Sequence, residues 1–119
     1  MRTRTVFIVD DQSLIADTLG LILQSEGYRT RTFYSPQAVI AAASETEPDI
    51  LITDFLMPDM DGLTLALKIR ALNANCTVLV MSGNVLAMDG HPARECFPVI
   101  EKPLPVPELL KTLEQVVNQ

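Results

Sequence analysis

The stretch from Ile50 to Gly62 constrains the fold more than any other part of the chain. It begins with a short apolar and β-branched run, Ile50–Thr53, which leads directly into Asp54 and a loop containing Pro58. Such a run, bounded by turn residues, is typical of a strand buried on both faces of a parallel sheet. Open α/β sheets bind their ligands beyond the carboxyl ends of their strands. The pattern therefore predicts a central strand whose end presents Asp54.

The rest of the chain repeats this unit of a short strand followed by an amphipathic helix. Buried strands are predicted at Thr5–Val9, Thr77–Met81 and Val99–Ile100, and a half-exposed edge strand at Tyr28–Phe33. Helices are predicted from about Gln12 to Glu26, from Pro36 to about Glu45, from Leu63 to Leu72, and from Pro105 or Pro107 to about Asn118. The expected N-terminal cap of the first helix is Ser13 or Asp11. Those of the second and third helices are Ser35 and Asp61.

The segment from Asn84 to Phe97 is the hardest to interpret. Gly90 and Pro92 interrupt any long helix there, so only a short helix is expected, near Val85–Asp89 or Ala93–Cys96. The one histidine, His91, lies beside Pro92 and is expected to be a solvated loop residue rather than a phosphorelay histidine.

This alternation predicts a flavodoxin-like α/β fold. Five short strands alternating with helices indicate a parallel sheet covered on both faces, a (βα)5 three-layer sandwich. Right-handed crossovers favour the strand order 2-1-3-4-5. Residues 1–119 are expected to form one domain with no effector domain in this chain, either a stand-alone unit or a piece of a larger protein.

Composition excludes several classes of function. The net charge of −6 argues against direct nucleic-acid binding through a basic face. No apolar run is long enough for a membrane span and no signal peptide is evident, so a cytoplasmic protein without membrane contact is expected. Cys76 and Cys96 lack the spacing of a metal or redox motif and are expected to be reduced thiols.

Polar residues follow four of the five predicted strands. Asp10 with Asp11, then Asp54, Ser82 and Lys102 stand at the carboxyl ends of the first, third, fourth and fifth strands. Because these ends share one edge of a parallel sheet, the side chains should converge. Three nearby carboxylates repel one another, and Mg²⁺ relieves that conflict. A lysine and a hydroxyl can hold an anion. The set predicts a phosphoryl site with one carboxylate free to act as a nucleophile.

Over essentially its whole length the chain resembles the receiver domain of two-component response regulators. The resemblance rests on Asp10–Asp11, on Asp54 with Met57–Pro58 and Asp61–Gly62, on Ser82–Gly83, and on Lys102–Pro103. It implies that Asp54 accepts a phosphoryl group from a sensor histidine kinase or a phosphotransfer protein. It also implies a conformational switch after the fourth strand that controls an effector protein or domain.

The resemblance assigns a role to each residue of the motif. Asp11 and Asp54 would ligate Mg²⁺ (or Mn²⁺) directly and Asp10 through water, and the backbone carbonyl of Leu56 would complete the protein ligands. Ser82 and Lys102 would bind the phosphoryl oxygens. Gly83 would leave an open approach for the donor, and the bond from Lys102 to Pro103 is usually cis in such domains. The domain would catalyse only its own phosphorylation and dephosphorylation and would not be a turnover enzyme.

Two positions depart from the family pattern. Val99 stands where an aromatic switch residue is often found, and Phe97 lies two residues earlier. The segment between Ser82 and Lys102 is also shorter than usual, so the output face made by the fourth helix, the fifth strand and the fifth helix is expected to be altered. Leu56 is apolar where many relatives carry polar groups, and it would shield an acyl phosphate from water.

Three alternatives compete with a phosphoacceptor. One is a degenerate receiver that acts as a phosphorylation-independent interaction module, although its acidic site would be complete. A phosphatase of the haloacid dehalogenase type would need a DxD arrangement on the first strand and a cap, whereas Asp10 and Asp11 are adjacent. A flavin-binding protein would need a phosphate-cradling loop after the first strand, where these two carboxylates would repel phosphate.

Overall fold

The computed structural model describes residues 3–102 and 106–117. Its strands are Thr5–Val9 (β1), Arg29–Phe33 (β2), Ile50–Asp54 (β3), Thr77–Ser82 (β4) and Val99–Glu101 (β5). Its α-helices are Ser13–Ser25 (α1), Pro36–Glu45 (α2), Gly62–Leu72 (α3) and Val106–Val117 (α4). Within these ranges, no helix combines the length and the apolar character that crossing a membrane requires.

The strands form one parallel sheet in the order β2-β1-β3-β4-β5, which confirms the predicted flavodoxin-like fold. Val9 at the end of β1 pairs with Thr53 in β3, and Asp54 pairs with Met81 in β4. Ser82 in turn pairs with Glu101 in β5. This register aligns the carboxyl ends of β1, β3, β4 and β5 along one edge of the sheet.

Two apolar cores lie on opposite faces of the sheet and make a three-layer structure. One core packs α1 and α4 against one face through residues such as Leu19, Leu23, Leu109 and Leu113. The other packs α2 and α3 against the opposite face. The side chains of β3 are buried along its whole length, as expected for the central strand of a doubly covered sheet.

The caps predicted for α2 and α3 are confirmed. The Ser35 side chain accepts from the Ala38 N–H, and Asp61 Oδ1 accepts from the Thr64 N–H. The cap predicted for α1 was wrong, because the N-cap position is Gln12, which makes no side-chain capping bond. Asp10 instead accepts from the Gln12 N–H at 2.9 Å. The Asp10 carboxylate, one residue before the predicted Asp11, therefore satisfies the free N–H of Gln12 at the start of α1.

The segment 84–98 replaces a fourth helix between β4 and β5. It contains a single 3-10 turn at Val85–Met88, at the first of the two predicted places, and hydrogen-bonded turns over 92–96 rather than an α-helix. Met88, Ala93 and Phe97 are nevertheless buried in the core on the α2 and α3 side. The five-helix pattern expected from sequence is therefore wrong at this point, although the segment fills part of the same layer.

Candidate functional site

The aligned strand ends gather the predicted polar residues at one edge of the sheet. Asp54 ends β3, Ser82 ends β4, and Asp10 follows β1; all three are buried. Asp11 is exposed beside Asp10, and Lys102 follows β5 with its backbone N–H donating to the Ser82 carbonyl at 2.8 Å. The convergence follows from parallel strands that all run toward the same edge.

The Lys102 ammonium bridges two of the carboxylates. Its Nζ lies 2.9 Å from Asp54 Oδ1 and 3.2 Å from Asp10 Oδ2. The Asp10 side chain is fully buried, so its charge needs a partner, and the ammonium supplies one. In this arrangement Lys102 holds Asp54 in place from the β5 side of the cleft.

Three carboxylates form a compact acidic cluster. One oxygen from each of Asp10, Asp11 and Asp54 lies within 4.8 Å of the other two. Burial raises the pKa of Asp54 above its ordinary value; Lys102 opposes this increase, and the charges of Asp10 and Asp11 add to it. Burial acts to lower the pKa of Lys102, but its bonds to Asp54 and Asp10 outweigh burial and raise that pKa.

A cleft of about 340 Å³ opens above this cluster. It is lined by residues at or just beyond the carboxyl ends of β1, β3, β4 and β5 and in the first turn of α1, namely Asp11, Gln12, Ile15, Asp54, Leu56, Ser82, Gly83, Asn84 and Lys102. Gly83 is exposed and a Cβ built on it meets nothing within 4 Å, so the cleft is open on that side. The cleft is large enough to admit a small group beside Asp54.

The remaining predicted residues surround the cleft or lie outside the described residues. The Ser82 hydroxyl accepts from the Asn84 N–H at 3.1 Å, which leaves its own proton free to donate to an anion. Leu56 is 62% exposed at the rim. Val99 is half-buried in β5 and packs against the core on the α2 and α3 side. Pro103, and with it the predicted cis bond, lies outside the described residues.

Gly62 packs directly against the backbone of Asp54, a contact that was not predicted from the sequence. A Cβ at Gly62 would lie 2.2 Å from the Asp54 carbonyl oxygen and 3.0 Å from the Phe55 Cα. The Gly62 N–H donates to the Phe55 carbonyl at 2.7 Å. The loop after β3 therefore folds back against the backbone of Asp54. The predicted helix began at Leu63, whereas α3 begins at Gly62, a residue type that is poorly suited to a helix.

His91 is not the solvated residue that was predicted. Its side chain is 18% exposed and its Nε2 lies 3.2 Å from the Asp61 carboxylate. Its ring also makes an edge-to-face contact with Phe55, with centroids 6.2 Å apart. Sequence reasoning missed this contact because Asp61 and His91 are thirty residues apart and belong to different loops.

Comparison with known families identifies the architecture. The family model for the response regulator receiver domain matches residues 6–114. A putative response regulator from Chloroflexus aurantiacus, solved by crystallography, superimposes with a TM-score of 0.87 at 26% identity, covering 99% of this chain and all of that one.

Curated relatives are longer proteins that contain a similar region. A probable transcriptional regulatory protein, TcrX of Mycobacterium tuberculosis, is 35% identical over 66% of this chain. The DNA-binding transcriptional regulator NtrC of Proteus hauseri is 30% identical over 99% of it. The matched region spans 33% of TcrX and 25% of NtrC, so this chain corresponds to a minor part of each relative.

Proposed function

The chain belongs to the family of response regulator receiver domains, the signalling modules of two-component systems rather than metabolic enzymes, and we propose that it is a phosphoacceptor whose acceptor residue is Asp54. In this proposal a sensor histidine kinase or a phosphotransfer protein donates the phosphoryl group. The modified domain then acts on an effector protein or domain, with no direct contact to nucleic acid or membrane. The observation that carries the proposal is the contact of Asp54 with Lys102 inside an acidic cluster at the open edge of the sheet.

The proposed reaction needs one carboxylate oxygen as the nucleophile. That oxygen of Asp54 attacks the phosphorus atom of the donor phosphohistidine, and the phosphorus–nitrogen bond breaks. The electron pair of that bond stays on the imidazole nitrogen, and a proton from solvent completes the neutral ring. The product is an acyl phosphate on Asp54. Because phosphoryl transfer depends mainly on positioning and charge neutralisation, the site needs no further covalent chemistry.

Lys102 and Ser82 are proposed to hold the transferred group. The Lys102 ammonium already contacts Asp54 Oδ1, so a small shift would place it against a phosphoryl oxygen. The free proton of the Ser82 hydroxyl can donate to another. Both groups neutralise or bind charge that develops as the phosphoryl group arrives. In the proposal the domain catalyses only these reactions of its own acceptor.

A divalent cation fits the residues of this cluster. Three carboxylates face one ammonium, which leaves two negative charges that a divalent cation such as Mg²⁺ or Mn²⁺ would neutralise. Asp11 and Asp54 would hold the ion directly, Asp10 through water, and the Leu56 carbonyl would add an oxygen ligand, all of them the hard donors that Mg²⁺ prefers. A bound ion would neutralise charge on the transferring phosphoryl group.

The output of the domain is proposed not to depend on an aromatic side chain that changes rotamer. Val99 stands at the usual position of that side chain, and Phe97 is buried with the Arg70 guanidinium 5.2 Å from its ring centroid. A cation–π contact of this kind stabilises the ring in its buried position. A structure with a phosphoryl mimic in which Phe97 turns into a pocket beside Ser82 would contradict this part of the proposal.

The proposal also includes a cytoplasmic location, because both cysteines are free thiols, as is usual in a reducing compartment.

The decisive experiment is modification of the purified chain by acetyl phosphate with Mg²⁺, measured by intact mass and by retention on a phosphate-binding gel. We expect one phosphoryl group on the wild type and none on Asp54→Asn. Asp59→Asn is the matched control, because it removes the same charge from an exposed position of the same loop and keeps a residue that tolerates the positive φ of 73° there.

A wild-type chain that takes no phosphoryl group, or an Asp54→Asn variant that still takes one, would overturn the assignment. The first outcome would favour the degenerate receiver that binds partners without phosphorylation.

A further inference from the structure

His91 connects the segment 84–98 to the start of α3 through contacts on both ring nitrogens. Nε2 lies 3.2 Å from the Asp61 carboxylate and 3.4 Å from Thr64 Oγ1. Nδ1 accepts from the Ala93 N–H at 3.0 Å. The Phe55 ring packs edge-to-face against the same imidazole.

The bond at Nδ1 fixes the tautomer of the ring. A nitrogen that accepts from a backbone N–H carries no proton of its own, so in the neutral imidazole the proton resides on Nε2. His91 therefore donates to the Asp61 carboxylate from Nε2 and accepts from the Ala93 N–H at Nδ1. One bond is internal to the segment 84–98, and the other reaches across to a different loop.

Asp61 links the Nε2 bond of His91 to the loop that follows Asp54. Its Oδ1 accepts from the Thr64 N–H and caps α3, and the next residue, Gly62, donates to the Phe55 carbonyl at 2.7 Å. That N–H holds the loop against the residue that directly follows Asp54. Movement of the Asp61 side chain would therefore loosen the turn that follows Asp54 and carries Leu56.

We propose that His91 is a positioning residue for the loop between Asp54 and α3. Its Nε2 holds Asp61, so the segment 84–98 and this loop move together. The inference rests on the proposed function, because it assigns a role to His91 in keeping that turn ready to bind Mg²⁺ and the phosphoryl group. The connection also links the segment 84–98 to the site by a route other than Ser82.

Two substitutions separate the two bonds of the ring. In His91→Asn the side-chain oxygen can take the place of Nδ1 and accept from Ala93, but the side chain is too short to reach Asp61. In His91→Gln the amide nitrogen can take the place of Nε2 and donate to Asp61, while the acceptor for Ala93 is lost. Each variant keeps one bond and removes the other.

Two measurements that need no phosphoryl transfer serve as readouts. Amide hydrogen exchange at Gly62 and Thr64 reports how firmly the loop is held. Calorimetric titration with Mg²⁺ alone gives the Kd of the site for the ion. For His91→Asn we expect exchange about tenfold faster at both amides and a Kd for Mg²⁺ roughly threefold higher or more, because one charge-assisted hydrogen bond is lost. For His91→Gln both values should stay within about twofold of the wild type.

The reverse pattern, with His91→Gln altered and His91→Asn unchanged, would show that the histidine only stabilises its own turn and would overturn the inference. Equal effects of both variants, or no effect of either, would overturn it as well. Failure of the proposed function is distinguishable, because it appears as an unmodified wild type with acetyl phosphate, whatever these two variants do.

Discussion

The Lys102 ammonium lies 2.9 Å from Asp54 Oδ1, so the proposed acceptor is paired with a cation before any phosphoryl group arrives. The same ammonium contacts the buried Asp10 at 3.2 Å. The pair keeps Asp54 oriented toward the cleft, and under the proposed function Lys102 would exchange one partner for another on phosphorylation of Asp54.

Replacing Lys102 with methionine should slow modification by acetyl phosphate by about 100-fold at saturating Mg²⁺, the usual cost of losing one preorganised charge-stabilising group. Lys68→Met is the matched control, because Lys68 is exposed on α3. The initial rate of modification, measured by intact mass, checks the expectation. A rate for Lys102→Met close to that of Lys68→Met would remove Lys102 from the proposed mechanism.

Removing the acceptor carboxylate should change the stability of the chain in a pH-dependent way. Burial raises the pKa of Asp54 above 3.8, so the native chain binds this proton more tightly than the unfolded chain does. As the pH rises through and beyond that ordinary value, the unfolded chain releases the proton first and the wild type loses stability. The Asp54→Asn variant has no carboxyl group to ionise at this position, so its stability should not fall with rising pH for this reason.

Thermal unfolding in a chelator checks this expectation: Asp54→Asn should melt above the wild type at neutral pH, and the difference should shrink as the pH falls below about 4. Asp59→Asn should show a smaller difference at neutral pH. A melting temperature for Asp54→Asn below that of the wild type at neutral pH would mean that its contact with Lys102 outweighs the cost of burial.

Most of the fold and the residues of the site could be predicted because they depend on local patterns. Apolar runs closely followed by Asp54, Ser82 and Lys102 specify parallel strands, and parallel strands bring their ends together whatever the loops do. The order of the strands then follows from the handedness of the crossovers.

Contacts between loops far apart in sequence could not be predicted. The environment of His91 depends on where the segment 84–98 settles after Gly90 and Pro92 have prevented a helix, and no periodicity encodes that position. The close approach of Gly62 to Asp54 likewise depends on the exact turn after β3. The N-cap of α1 was assigned wrongly because Asp10, Asp11 and Ser13 stand within four residues and can each accept from a free N–H there.

Gly62→Ala should destabilise the chain by about 3 kcal/mol, because its Cβ would overlap the backbone of Asp54 and a backbone cannot move aside cheaply. Gly83→Ala is the matched control, since a Cβ there meets nothing within 4 Å. Urea unfolding should give a free energy for Gly83→Ala within about 1 kcal/mol of the wild type. Equal losses for the two variants would mean that the turn after β3 relaxes to admit a side chain.

The two cysteines should differ sharply in reactivity. Burial raises the pKa of Cys76 to about 11, whereas Cys96 is exposed. Because the thiolate is the reactive form, Cys96 should react with a disulfide reagent at pH 8 within minutes and Cys76 only after unfolding. Mass spectrometry of the labelled native chain should find one modified thiol. Rapid labelling of Cys76 in the native chain would show that β4 opens readily at its start.

Leu56 should protect an acyl phosphate on Asp54 from hydrolysis. Its side chain is 62% exposed at the rim of the cleft and contributes apolar surface next to the site of water attack. Leu56→Asn replaces that surface with a group that can bind and orient water, so the half-life of the phosphorylated chain should shorten, by roughly threefold or more if one such contact is gained.

Leu86→Asn is a control of the same chemistry, since Leu86 is 75% exposed but is not among the residues that line the cleft. Loss of the phosphoryl group after the donor is removed, measured by intact mass over time, gives both half-lives. If Leu56→Asn leaves the half-life unchanged or lengthens it, water reaches the acyl phosphate from another side of the cleft, and the exposed Gly83 would be the next position to test.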